Sequence, residues 1–471
     1  MPSKGVESYA YLTNSAFSMN FSVPKNEQSE TAQNTMIKIN QQVDSGNISG
    51  AFNYTGPYTW EAMVNNAKVA TKTNLISSLT GNLEGGDMTD MMNMPSIIGT
   101  TGSKSYAISY GFYDAGPGVG GLTNQDQCYA YLTDCYESWM DGLVRAFPAA
   151  AGKPFHQFFL PGVHDAGMNT MNSANALLDS TAAGVIKAAL MVMFPIVGTF
   201  AAFNAATAIR NLAITQKDSF TTMLNLGIRY FDFRPGYLYS SFRNGDNSLY
   251  HQHNLIPGAL YQDFLYELLQ WLKNHPSEIV VLDLNTQGFA EDGMKPSQTD
   301  LQTAMQTAFT SAGLNDSDLV VGGLADFAQT YQQLLNVKKR LIVLDQIYGG
   351  VTKYDSYQDG AYGTLTPGPI ISALSEMNST DQANYDFTVL QIQGTATNVN
   401  GVIAPAAVSQ SNTSSPLMST KADFDNQTLP WLLANVNNNL SNNYLTVVLN
   451  DFGDNATVSF SISVTKQRMG L

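Results

Sequence analysis

The run Leu160-Pro161-Gly162-Val163-His164-Asp165-Ala166-Gly167 decides how the rest of the chain is read. Residues 155–160 have the apolar density of a short buried strand, and Pro161-Gly162 predicts a sharp turn at its end. That arrangement sets an imidazole beside a carboxylate at the C-terminal end of a strand, where barrel enzymes carry their chemistry. An adjacent His-Asp pair by itself often does no more than cap a turn, so its meaning rests on the segments that follow.

The first of these is Gly227-Ile228-Arg229-Tyr230-Phe231-Asp232-Phe233-Arg234-Pro235. Its alternation puts Asp232 and Arg234 on one face of a strand and Phe231 and Phe233 on the other. Two opposite charges on an inward face are costly unless paired with each other or used on a charged ligand. Next comes Tyr250-His251-Gln252-His253-Asn254, strand-like, with both imidazoles on a common face. An amphipathic helix is expected over 260–273, then the turn His275-Pro276-Ser277-Glu278 and a strand from Ile279 to Asn285.

In this order the five elements between Phe155 and Asn285 resemble the catalytic X domain of phosphatidylinositol-specific phospholipase C. That family runs from a Pro-Gly-x-His-Asp-Ser/Ala-Gly turn through a Gly-x-Arg-x-x-Asp-x-Arg strand and a His-containing strand to a helix. An Asn/His-Pro-x-Glu turn into a further strand follows. Two later runs echo it more weakly: Leu390-Gln391-Ile392-Gln393, and Val447-Val448-Leu449-Asn450-Asp451-Phe452. The resemblance covers about residues 150 to 455 and leaves out the N-terminal third.

The resemblance implies a cleft that cuts a phosphatidylinositol, or its glycosylated form, into diacylglycerol and an inositol or cyclic inositol phosphate. His164 would be the general base, with Asp451 fixing its tautomer. His253, or else His251, would be the general acid, helped by Asp165. Arg234 would hold the phosphate, and Asp232, Asn285, Gln391 and Gln393 would line the headgroup. No metal or cofactor is expected. Calcium-dependent members carry carboxylates where this chain has Tyr230 and Asn285, and Asn where it has Asp165, whereas a guanidinium fork can bind phosphate without a metal. Asn285 stands where bacterial relatives often have Lys. His156 and His275 are read as structural.

Composition narrows the alternatives. A chain of 471 residues exceeds one ordinary core, so two or three domains are expected. A net charge of -15 argues against nucleic acid and against broad electrostatic docking to anionic lipid. The expected partner is a phospholipid membrane met at its headgroups. Residues 1–5 lead into a polar segment rather than an apolar signal core, leaving secreted, peripheral-membrane and cytoplasmic locations open. Cys128 and Cys135 are too few for a disulfide framework or a four-ligand zinc site, and a single bridge between them has even odds. Two other functions fit the same residues: an inactive membrane- or glycan-binding, toxin-like protein, and a phosphodiesterase for another headgroup such as that of sphingomyelin.

Residues 1–145 read as a β-sandwich, from alternation at 17–23, 36–40 and 106–112 and glycine-rich turns at 116–121. The stretch 61–83 reads as a helix or irregular loop within it. Residues 146–471 read as a (β/α)8 TIM-like barrel. Its strands are expected near Phe155, Gly227, Ser248, Glu278, Leu319, Arg340, Phe387 and Tyr444, and its helices over 260–273, 298–312, 325–335 and 429–440. The tail 456–465 alternates like a further strand. An apolar run, 182–208, broken by Pro195-Ile196-Val197-Gly198, suggests a helical hairpin, either core or a membrane-dipping rim.

Overall fold

The computed structural model describes residues 5–43, 54–115, 125–180, 184, 205–357, 363–394 and 411–471. The apolar run 182–208 lies outside the described residues except for Gly184 and 205–208.

Period-two alternation builds the N-terminal third. In Phe17–Val23 every second residue is buried, and in Thr55–Val64 the inward set includes Tyr58, Trp60, Ala62 and Val64. One five-stranded sheet runs Ile37–Gln42, Gly5–Leu12, Asp126–Asp134, Lys104–Tyr113, Ile97–Thr101 in spatial order. The other runs Asn26–Glu30, Phe17–Val23, Thr55–Val64, Ala67–Ser77, Leu83–Gly86. Rings from the two sheets meet, Trp60 with Tyr110 at 5.2 Å and Tyr58 with Phe112 at 6.2 Å between centroids. The expectation of a helix or loop over 61–83 is therefore corrected: two long antiparallel strands fill it, paired from Thr55↔Ser77 to Val64↔Ala67.

The remainder is mixed α/β around a curled, all-parallel sheet of eight strands. Its order is Val320–Gly322, Lys339–Asp345, Val280–Leu284, Tyr230–Phe233, Phe159–Val163, Thr446–Asn450, Phe387–Gln391, Lys353–Asp355. Among the described residues no pairing joins the two outer strands, so the sheet is a curl with two edges. Helices cover its outer face. Phe233 stacks on Phe264 of the helix Tyr261–Asn274 at 4.5 Å, so the outward phenylalanines of that strand seal it while Tyr230 and Asp232 point inward.

Four expectations about this part are corrected. Phe155–Gln157 is a single helical turn; the strand is Phe159–Val163, with Pro161 and Gly162 inside it. Proline is disfavoured in a central strand, but here Pro161 sits opposite Val448 and its carbonyl accepts from Arg229 N at 2.9 Å. Tyr250–His253 is not a barrel strand: it belongs to a small antiparallel sheet with Pro235–Gly236 and Ile256–Leu260. The eighth barrel strand is Lys353–Asp355, too short to show as a periodic pattern. The tail is the helix Asn455–Met469, capped by Asp454. Its hydroxyls misled the alternation, because Ser461 and Thr465 donate to carbonyls four residues back and are buried without needing water.

That last helix joins the two halves. Tyr11 packs on Phe460 at 5.1 Å and hydrogen-bonds Ser459 at 3.1 Å, and residues of both halves share one apolar cluster. Both cysteines are free, Cys128 buried and Cys135 part-buried. No helix among the described residues is long and apolar enough to cross a membrane.

Candidate active site

Strand ends at one rim of the parallel sheet deliver the polar residues. Phe159–Val163 hands over to His164, whose backbone N–H donates to Asn450 O of the neighbouring strand. Asp165 then takes a left-handed backbone, φ 44°, and turns the chain. Gly167 is required two residues on: a Cβ there would lie 2.3 Å from His251 Cβ, so the glycine makes room for that imidazole.

The side chains form one connected set. His164 Nδ1 lies 2.9 Å from Asp451 Oδ1, and its Nε2 faces Arg234 Nη2 at 3.2 Å and Asp165 Oδ2 at 3.5 Å. Arg234 bridges two buried carboxylates, Nη1 to Asp165 Oδ1 at 2.8 Å and Nη2 to Asp232 Oδ2 at 3.0 Å. Asn285 donates to the other oxygen of Asp232 at 2.7 Å. On the far side of Asp165 stand the two histidines of one strand, His251 Nε2 at 3.3 Å and His253 Nε2 at 3.7 Å. His251 is fully buried and its Nδ1 accepts from Arg234 N, so both ring nitrogens are engaged; the His253 side chain is 25% exposed.

Asn254 adopts φ 60°, the left-handed region that glycine enters freely and asparagine tolerates, and starts the turn directly after His253.

Charge follows from this packing. Burial disfavours the imidazolium of His164, but Asp165 and the hydrogen bond to Asp451 outweigh it and raise its pKa to about 9. Burial depresses His253 to about 4, only partly opposed by Asp165. Burial alone would raise both carboxyls beside Arg234, yet its guanidinium dominates, holding Asp165 well below the usual range and Asp232 at about 2. At neutral pH His164 is therefore the imidazolium of the site and His253 is neutral. Asp165 Oδ2, Asp451 Oδ2, Arg234 Nε and His253 Nδ1 are buried without a hydrogen-bond partner, a concentration of unmet capacity that marks a place for a polar ligand.

His164, Asp165 and Asp232 offer atoms within 4.8 Å of one another, close enough to surround a metal ion. Arg234 contacts all three, and calcium favours a shell of oxygens over an imidazole. The residues present do not fit calcium. Tyr230 donates to Asp283 at 2.9 Å and Asn285 to Asp232 at 2.7 Å, so neither adds a carboxylate to the cluster.

Gln391 and Gln393 sit one layer away. Gln391 donates to both oxygens of Asp355 at 2.9 Å, and Gln393 donates to Gln391. They reach the site through a residue that sequence reading missed, Lys353. Its ammonium pairs with Asp355 at 3.2 Å and donates to Gln287 Oε1 at 2.9 Å, while the Gln287 carbonyl accepts from Arg234 at 3.4 Å. Asp283 was missed as well; burial raises it to about 6, and Gln346 and Tyr230 satisfy its oxygens. The only sequence signal for Lys353 was a Lys-x-Asp alternation after Gly349-Gly350. His275, read as structural, stacks on Trp271 and bonds Glu137 away from the cleft.

No protein-family model matches the chain. A human PI-PLC X domain-containing protein 1 is 26% identical over 179 residues, 37% of this chain and 50% of the relative. The mouse PI-PLC X domain-containing protein 3 is 40% identical over 81 residues, 17% of this chain and 24% of the relative. The chain is similar to the PI-PLC X-domain proteins. It spans at most about half the length of these curated relatives. Among solved structures, phosphatidylinositol-specific phospholipases C from Staphylococcus aureus (a variant) and Listeria monocytogenes each give a TM-score of 0.40, at 14% and 15% identity. Those alignments cover 70% of this chain and 96% and 98% of theirs.

Proposed function

We propose that this PI-PLC X-like chain is a phosphodiesterase of the phospholipase C type, acting on phosphatidylinositol or a glycosylated form at a membrane surface. One observation carries the reading: the Arg234 guanidinium lies between two carboxylates with an imidazole on either side of Asp165. In this reaction the inositol 2-hydroxyl oxygen attacks phosphorus and the bond to the diacylglycerol oxygen breaks. The hydroxyl proton passes to a base, and an acid protonates the departing oxygen. Arg234 would stabilise the charge on the phosphoryl oxygens with no metal ion. His164, oriented by Asp451, is the base and His253, beside Asp165, the acid; Asp232, Asn285, Lys353, Gln391 and Gln393 form or support the headgroup wall. We read the parallel sheet as an incompletely closed barrel of (β/α)8 type and the two N-terminal sheets as a sandwich, divided near residues 145 and 146.

The protonation pattern favours a second assignment of the same two histidines. With the proton on His164 and His253 neutral, the imidazolium acid would be His164 and the base His253. Substrates with an activated leaving group separate the two, because the acid becomes dispensable on them. The histidine whose alanine variant recovers activity on the activated substrate is the acid.

The reading itself is tested with vesicles of phosphatidylinositol, a glycosylated phosphatidylinositol, sphingomyelin or phosphatidylcholine, each with EDTA or calcium. Turnover confined to the inositol lipids supports it. Turnover of another headgroup reassigns the substrate, and vesicle binding without turnover on any of them leaves the inactive binding protein.

A further inference from the structure

We infer that the N-terminal sheets position the His164–Asp451 pair, gripping both loops that hold it, and so are part of the active site. The inference depends on the proposed function only for the catalytic meaning of that pair. Its geometry stands alone.

The first grip is on residues 215–218. Thr215 Oγ1 donates to the carbonyls of His164 and Asp165 at 3.2 and 3.0 Å. Gln216 donates to the carbonyls of His164 and Asn450 and accepts from Gly453 N at 2.8 Å, so one amide ties the His164 turn to the Asp451 loop. The next two residues bond to the N-terminal half. Lys217 and Asp218, both almost fully buried, form an ion pair at 3.1 Å. Lys217 donates to Met94 O at 2.8 Å, and Ser96 donates to both Asp218 oxygens at 2.7 and 2.8 Å.

The second grip is on residues 450–455. Asn455 Nδ2 shares its two hydrogens among Ala107 O, Tyr131 O and Thr133 Oγ1, at 2.8, 3.0 and 3.0 Å on two strands of the first sheet. Tyr131 reaches the other end of the loop: its hydroxyl donates to Asp425, and Asp425 accepts from Asn450 Nδ2 at 2.8 Å. Lys421 closes the circuit with Asp425 at 2.9 Å and Asp454 at 2.5 Å. Asp451 thus lies between Asn450, which reaches Tyr131 through Asp425, and Asn455, which bonds two strands of the first sheet directly. Buried networks of this kind hold geometry because every lost partner leaves a desolvated polar group. A displacement of about 1 Å in a catalytic group costs on the order of 100-fold in rate.

The test uses the full-length chain with Tyr131→Phe, Ser96→Ala and Asn455→Ala, and Lys68→Ala, at an exposed ion pair of the second sheet, as the control. The low-field proton resonance of His164 Nδ1–H, assigned by its loss in His164→Gln, reports the bond to Asp451. In all three variants that resonance should move upfield and broaden, with kcat falling roughly 10- to 100-fold and KM little changed; Lys68→Ala should match wild type. Folded variants that keep both the resonance and kcat overturn the inference, whatever their melting temperature. If Asn455→Ala does not fold, the two single-hydroxyl deletions decide by the same criterion. If no headgroup is turned over by wild type, the proposed function fails while the resonance still decides this point.

Discussion

His164 Nδ1 and Asp451 Oδ1 stand 2.9 Å apart although 287 residues separate them in sequence. The bond fixes which ring nitrogen faces Arg234 and, after the Asp165 carboxylate, helps hold the His164 pKa above its usual value. His164→Ala should lower phosphodiester cleavage by about two to four orders of magnitude with the fold intact. Steady-state rates on phosphatidylinositol vesicles and a thermal melt check both halves of that expectation.

The two shifted histidines set the pH profile. His253 gains a proton only below about pH 4 and His164 loses one only above about pH 9, so kcat/KM should be flat between those limits. Removing the carboxylate with Asp451→Asn lowers the His164 pKa and moves the alkaline limb to lower pH. The stability sign follows. A raised folded-state pKa contributes stability that is fully present below the unfolded value of about 6.5 and is lost as pH rises through about 9. Asp451→Asn should therefore destabilise more at pH 6 than at pH 10; equal effects at both would refute the assignment.

Arg234 has a structural role beside the chemical one proposed for it. Truncating it to Ala leaves Asp165 and Asp232 buried without their shared cation, which typically costs about 3–5 kcal/mol. Arg234→Ala should lower both activity and the melting temperature. Arg234→Lys should recover much of the stability and little of the rate, because an ammonium cannot reproduce the fork.

Chelation separates guanidinium from metal chemistry. With Arg234 in contact with His164, Asp165 and Asp232, activity should be unchanged by EDTA and by added calcium. Loss of turnover in EDTA with recovery on calcium would show that a cation displaces the guanidinium.

Lys353 should act on binding more than on chemistry, since it contacts Gln287 and Asp355 and not the histidines. Lys353→Met is expected to raise KM about tenfold with a smaller change in kcat, the loss of roughly one charge-assisted contact. A fall confined to kcat would place Lys353 in the chemical step instead.

What could be read from the sequence divides along physical lines. The His-Asp turn, the Asp232–Arg234 strand and the closing Asp451 were legible because local patterns and their order along the chain carry them. Lys353 was not, because a three-residue strand has no period to detect and its role depends on partners far away in sequence. Pro161 and Gly162 were read as a turn because local propensity says so; only the neighbouring strands make room for them. The last helix was misread for a related reason: its Ser and Thr hydroxyls bond inside the helix, so polarity no longer marks an exposed face. Neither the seating of that helix against the first sheet nor the grip of Asn455 leaves any local signature.

The contact of Tyr11 with Phe460 sets a timetable for biosynthesis. The first sheet can pair its own strands once about residue 134 has left the ribosome, but the helix that covers it, Asn455–Met469, emerges only about 320 residues later. Through that interval, at about 5–20 residues per second, its buried tyrosines lie open to solvent and to neighbouring chains. Truncations that remove this helix should therefore yield insoluble protein rather than a shorter folded chain, and expression should gain from chaperones that shield nascent apolar surface.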